Sequence, residues 1–85
     1  MQVIEVTAGP GPAFSVRAGG RSFAVTATEE LAAELGVHDR EALVRASFEF
    51  LLEREPATSI LPSFDLPVIE RYYPGWREAM RRRFG

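Results

Sequence analysis

Residues 14–25 read FSVRAGGRSFAV, and this stretch predicts a β-hairpin. Phe14 and Val16 alternate with polar side chains, which is the period-2 pattern of a half-buried strand. Gly19-Gly20 follows, and two glycines tolerate the positive φ angles of a type I′ turn. Closing the turn there sets Val16 opposite Phe23, so the large apolar side chains of both strands fall on one face. The turn and the alternation therefore predict the same register.

A further strand is predicted upstream of the hairpin, where Ile4 and Val6 alternate with more polar neighbours. The run GPGP at residues 9–12 must be a turn, because proline donates no ladder hydrogen bond. A loop of this length places Ile4 and Val6 on the same face as Phe14 and Val16. The sequence thus predicts a three-stranded antiparallel meander with one apolar face.

Two helices are predicted after the meander. Thr28 is placed to cap a short helix that stops before Gly36, a residue suited to the position after a helix. Asp39 is placed to cap a central helix that runs to about Glu55, where Pro56 ends it.

The central helix is apolar over most of its circumference, which indicates a buried position. Its charged stripe is formed by Glu41, Arg45, Glu49 and Glu53. We expect the sheet to cover the arc around Phe50. Phe48 and Leu52 flank the charged stripe and require a second cover, either the C-terminal segment or a second copy of the chain.

Short helices are predicted at the C-terminus. Asp65 is placed to cap a helix over residues 66–72, and Pro74 opens a final helix that carries Trp76. The predicted fold class is α+β, with an N-terminal three-stranded antiparallel meander packed against the central helix. Residues 1–85 form a single domain, which is consistent with the size of one core.

The composition excludes several classes of protein. The chain has no cysteine, which removes disulfides and zinc–thiolate sites and favours the cytoplasm. The first residues show no signal peptide, and the uncharged stretch that most suggests a membrane span, residues 56–64, is too short to cross a membrane. All ten basic residues are arginine, which fits codon bias in a GC-rich bacterial genome, and the net charge of −2 provides no general attraction to nucleic acid.

No residue set predicts catalysis. His38 is the only histidine, it lies in a predicted turn, and no second histidine or cysteine completes a metal site. A serine triad would depend on His38 alone, and the glycine runs do not connect a strand to a helix as phosphate loops do. We therefore expect a non-enzymatic protein without catalytic, cofactor or metal residues.

The C-terminal segment holds the best binding candidates. Tyr72, Tyr73 and Trp76 lie within five residues, and Arg81, Arg82 and Arg83 follow. Aromatic side chains beside arginines can stack on single-stranded nucleic acid. The competing interpretation is that the aromatics pack in the core and the arginines complement a helix C-terminus. The sequence leaves open whether these arginines bind an anion or only cap a helix.

The order of residues 21–47 resembles ribbon-helix-helix repressors and antitoxins: a strand at 21–26, a helix from Glu29, the turn GVHDR, then EALVRAS. The resemblance implies a dimer that reads DNA with its paired strands. In this chain, however, Asp39 and Glu41 occupy positions where that family presents hydroxyl or basic groups to a phosphate.

Residues 45–76, including FLLEREP at 50–56 and FDLPVIERYYP at 64–74, are similar to small bacterial proteins of unknown function. This second resemblance covers more of the chain and implies a bacterial cytoplasmic protein.

The function predicted from the sequence is a protein-interaction module that self-associates, as a homodimer, or binds another protein. Its predicted interface residues are Phe48, Leu52, Tyr72, Tyr73 and Trp76. The alternative is a DNA-binding repressor or antitoxin of ribbon-helix-helix type.

Overall fold

The structure is a computed structural model that describes residues 3–85, and one sheet organises it. Its strands are β1 (Ile4–Ala8), β2 (Ala13–Ala18), β3 (Arg21–Thr26) and β4 (Ser63–Asp65), in the spatial order β1-β2-β3-β4. The first three strands are antiparallel, which confirms the predicted meander. The fold class is α+β, as predicted.

The central hairpin has the predicted register. Val16 pairs with Phe23 and Phe14 with Val25, while Gly19 and Gly20 turn with φ angles of 59° and 76°. Positive φ at both central residues matches the twist of the flanking strands, which is why this turn closes a two-residue hairpin. One face of the meander is buried and the other is exposed.

The predicted sheet lacked its fourth strand. β4 pairs parallel with β3, with Val25 opposite Phe64. The strand is only three residues long, and Pro62 and Pro67 bracket it, so neither alternation nor length distinguished it from a loop. The predicted three-stranded meander is therefore present, but the sheet has a fourth, parallel strand that was not predicted.

Four α-helices occur in the described part of the chain: α1 (Glu29–Glu34), α2 (Arg40–Leu52), α3 (Ile69–Tyr72) and α4 (Trp76–Phe84). The predicted caps of the first two are present. Thr28 Oγ1 accepts from the N–H of Leu31 at 3.1 Å, and Asp39 Oδ1 accepts from the N–H of Glu41 at 3.0 Å. Gly36, with φ of 72°, follows α1 as predicted.

The end of α2 differs from the prediction by one turn, because the helix stops at Leu52 and not near Glu55. The chain continues as a turn in which the N–H groups of Arg54 and Glu55 bond to the carbonyl of Leu51, each at 2.9 Å. The Arg54 guanidinium donates to the carbonyl of Phe50 at 2.9 Å and lies 3.6 Å from the centre of its ring. The Arg54 side chain thus satisfies a carbonyl group at the C-terminus of α2, before Pro56.

The predicted orientation of α2 is wrong. Phe48 faces the sheet: its ring lies 5.1 Å from that of Phe23 on β3 and 6.0 Å from that of Phe64 on β4. Phe50, which we expected beneath the sheet, packs instead against Tyr73 at 6.1 Å. Because α2 is apolar nearly all round, its pattern did not specify which arc meets the sheet.

The C-terminal third winds back over α2. A 3-10 turn at Ala57–Ser59 leads into β4, and a second 3-10 turn at Leu66–Val68 continues directly into α3. Helical structure over residues 66–72 is thus as predicted, but the Asp65 side chain makes no capping hydrogen bond. Within residues 3–85, no helix has the length and apolar character needed to cross a membrane.

Candidate interaction site

The structure separates the five predicted interface residues. Phe48 and Trp76 have no exposed surface within the chain, and Leu52 and Tyr73 are half-buried. Only Tyr72 is largely exposed, at 66%. Of the five predicted interface residues, Tyr72 therefore offers the largest exposed surface.

Trp76 fixes the last helix to the central one. Its indole Nε1–H donates to Ser47 Oγ at 3.0 Å, and the Ser47 hydroxyl faces Met80 Sδ at 3.8 Å. Ser47 has no exposed surface and is the one buried polar residue of the described chain. A buried indole needs a hydrogen-bond acceptor, and Ser47 provides it.

An apolar cleft opens beside Tyr72. We call it the Tyr72 cleft, and it has a volume of about 150 Å³. Its walls come from the end of α2, the segment before β4, β4 itself and α3. The lining residues are Leu51, Glu55, Ser59, Ile60, Leu61, Phe64, Val68, Ile69, Tyr72 and Tyr73. A cavity of this size and character accommodates a ligand as large as benzene.

The rim of the Tyr72 cleft holds two of the three large hydrophobic side chains that are exposed among residues 3–85. Leu61 is 46% exposed and Tyr72 66%, and Val3 is the only other large apolar side chain so exposed among residues 3–85. Leu61 and Tyr72 belong to segments distant in sequence that the fold brings to one opening. Apolar side chains around a pocket are typical of a site that receives a partner.

Part of the cleft lining is polar. The Tyr73 hydroxyl donates a hydrogen bond to Glu55 Oε2. This bond, with desolvation and the negative charge of Glu55, raises the pKa of the Tyr73 phenol above its ordinary value of about 10. The pair provides a fixed polar group in a lining that is otherwise mainly apolar.

A second concave surface lies under the sheet edge. We call it the β1 groove, and it has a volume of about 480 Å³. It is lined by Ile4, Ala46, Glu49, Phe50, Leu52, Glu53, Ala79, Met80 and Arg83. Leu52, which was predicted to be an interface residue, is half-buried in this groove, and Ile4 of the edge strand lines the same groove.

The C-terminal arginines are engaged mainly with acids of the same chain. Arg82 Nη2 lies 3.1 Å from Glu78 Oε1, and Arg83 Nη2 lies 2.5 Å from Glu49 Oε1. Near the N-terminus of α4, Arg77 forms ion pairs with two carboxylates. Its hydrogen bond to Glu34 helps raise the pKa of the Arg77 guanidinium. These pairs partly neutralise the positive charge that would attract a polyanion.

The ribbon-helix-helix interpretation requires a strand with a free edge. In those proteins the strand pairs across a dimer, whereas β3 lies between β2 and β4 of its own chain. This arrangement disfavours the DNA-binding alternative, because β3 has no open edge for a symmetry mate.

No cluster suited to metal binding is formed by the His, Asp and Glu side chains of residues 3–85. His38 lies exposed in the turn before α2, where the sequence placed it.

Tyr72 and Tyr73 were predicted from the sequence, whereas Leu61, the other exposed residue of the cleft rim, was not. The signal that could have indicated Leu61 is the density of apolar residues at 60–69, which is too high for a surface loop.

Comparisons of this chain with protein-family models, with curated proteins and with solved structures gave no match.

Proposed function

We propose that this protein is a non-enzymatic interaction module of the bacterial cytoplasm, which binds a partner polypeptide and associates with a second copy of itself. The observation that carries the proposal is the Tyr72 cleft, where Leu61 and Tyr72 remain exposed around an apolar opening. The cytoplasmic location rests on the absence of cysteine from a chain of this size.

The dimensions of the cleft favour a single anchoring side chain from the partner. A volume of about 150 Å³ suits one aromatic or large aliphatic group, and interfaces commonly concentrate their binding energy on such anchors. Tyr72 adds a rigid amphipathic ring at the rim, and the Glu55–Tyr73 pair adds polar groups that orient the partner.

Site-specific photo-cross-linking tests the proposal. A benzophenone amino acid in place of Tyr72 should give a cross-linked complex in bacterial cells, and mass spectrometry should identify the attached polypeptide. Leu61→Glu should abolish this product, because the charge would occupy the apolar rim. The matched control Ala33→Glu, on the exposed side of α1, should leave it intact. A product that survives Leu61→Glu, or none at all, contradicts the proposal.

A further inference from the structure

The two edges of the sheet differ in how they are protected. β4 has three residues between Pro62 and Pro67, and short length and proline are devices that block an edge from pairing. β1 has five residues, no proline and a single charge, Glu5. Within residues 3–85, no strand occupies its outer side. The fold thus leaves one edge available for another strand.

The backbone groups along this edge can be assigned. The N–H of Gly9 donates to the carbonyl of Ala13 at 2.8 Å, which makes these residues a hydrogen-bonded pair. Bonded and non-bonded pairs alternate along an antiparallel ladder. The N–H and C=O groups of Ile4, Val6 and Ala8 therefore point away from β2, toward the open edge.

From these features we infer that a second copy of the chain pairs with β1, antiparallel about a two-fold axis at Val6, to form a continuous eight-stranded sheet. This inference rests on the self-association in the proposed function and names its surface. A two-fold axis at Val6 pairs all five residues of the strand with their counterparts. Ile4 then lies opposite Ala8 of the second copy, and each outward-pointing pair exchanges two backbone hydrogen bonds.

Charge selects the same register. An axis at Glu5 would set the two Glu5 carboxylates directly opposite each other, which is destabilising. An axis at Val6 sets Glu5 opposite Thr7 of the second copy, on the exposed face of the sheet. Each Glu5 carboxylate then faces the neutral hydroxyl group of Thr7 in the other copy.

The buried face is compatible with this pairing. A two-fold axis perpendicular to the sheet keeps both apolar faces on one side, so half-buried Ile4 and Val6 of the two copies become neighbours. The β1 groove continues beneath the edge, where Leu52 is still partly exposed. The second copy extends the cover over these side chains, which is favourable because their apolar surface leaves water.

Opposite charges at one exposed position test the register. Thr7→Lys should tighten the dimer, because each lysine faces Glu5 of the other copy, whereas Thr7→Glu should weaken it. The two variants should differ in dissociation constant by roughly tenfold or more, since each dimer contains two such pairs. Sedimentation equilibrium over a concentration series that reaches about 1 mM measures these constants. Ala24→Lys and Ala24→Glu, on the same face but in β3, are matched controls that should leave the dimer unchanged.

Several results would overturn the inference. The inference is contradicted if the chain stays monomeric throughout the concentration series. It is also contradicted if the Thr7 variants leave the dissociation constant unchanged. Equal weakening by lysine and glutamate would place Thr7 opposite itself and refute the register. If Leu61→Glu dissociates the dimer while the Thr7 variants do not, association occurs through the Tyr72 cleft, and the proposed function stands without this inference.

Discussion

At the scale of single residues, Ser47 shows how one hydroxyl positions a helix. It is the only polar acceptor of the Trp76 indole, and both side chains are fully buried. A serine in an apolar helix thus has a specific role in docking α4.

Ser47→Ala should therefore destabilise the protein more than its small change in volume suggests. It leaves a buried indole N–H without an acceptor, which costs about 1–3 kcal/mol in the free energy of unfolding. Urea denaturation measures the loss. The same change in a Trp76→Phe background should cost less, because no orphaned donor remains. Equal costs in both backgrounds would show that the hydrogen bond contributes nothing.

The Tyr73–Glu55 pair makes a prediction about pH. In a Tyr72→Phe background, phenolate absorbance should report a Tyr73 pKa above about 10, and Glu55→Gln should lower it. Because the folded-state pKa is raised, the contribution of this bond to stability is complete below about pH 10. It is lost as the pH rises through the folded-state value. The control Glu53→Gln should not shift the titration, and an unshifted pKa in the Glu55 variant would contradict the assignment.

At the scale of elements, the hairpin turn combines a local requirement with a tertiary one. Gly19 and Gly20 both need positive φ, but only Gly19 lies against another part of the chain. A Cβ atom built on Gly19 would approach the Ala57 Cβ to 2.7 Å, whereas one on Gly20 would meet nothing within 4 Å.

Asparagine substitutions should separate these two effects, because asparagine tolerates positive φ better than most residues. Gly20→Asn should change the free energy of unfolding by about 0.5 kcal/mol or less. Gly19→Asn should cost about 1–3 kcal/mol, as overpacking does, and Ala57→Gly should recover part of that loss. Thermal denaturation of the three variants measures the difference. Equal costs at the two glycines would indicate that Ala57 does not constrain the turn.

At the scale of the whole molecule, charge and topology together argue against DNA binding. The net charge is −2, Arg82 and Arg83 lie against carboxylates, and β3 is enclosed by its neighbours. A protein that binds DNA usually neutralises several phosphates with free basic groups.

We therefore expect no retention of duplex DNA by this protein at moderate salt. Mobility-shift measurements at low and moderate salt check this, with a charge-reversed Glu41→Arg variant as a control for weak electrostatic binding. Salt-dependent binding by the unmodified chain, at micromolar concentration, would revive the ribbon-helix-helix interpretation.

The local structure of this protein could be predicted from its amino-acid sequence. The register of β2 and β3, the caps Thr28 and Asp39, and the helical stretch 66–72 were all predictable. Turn, cap and alternation rules act between residues close in the chain, so a single sequence contains their whole cause. Tyr72, one of the two exposed rim residues of the candidate site, was predicted for the same reason, because it belongs to an aromatic cluster that is local in the sequence.

The contacts between segments that are distant in the sequence became apparent from the folded structure alone. Three features have no local signal in the sequence: the pairing of β4 with β3, the face of α2 that packs on the sheet, and the position of Leu61 beside the same cleft as Tyr72. A three-residue strand carries too little pattern to identify a partner, and a helix that is apolar nearly all round presents equivalent faces. Packing between distant segments determines these features: in the observed arrangement Phe48 is buried against both Phe23 and Phe64, and Trp76 donates to Ser47.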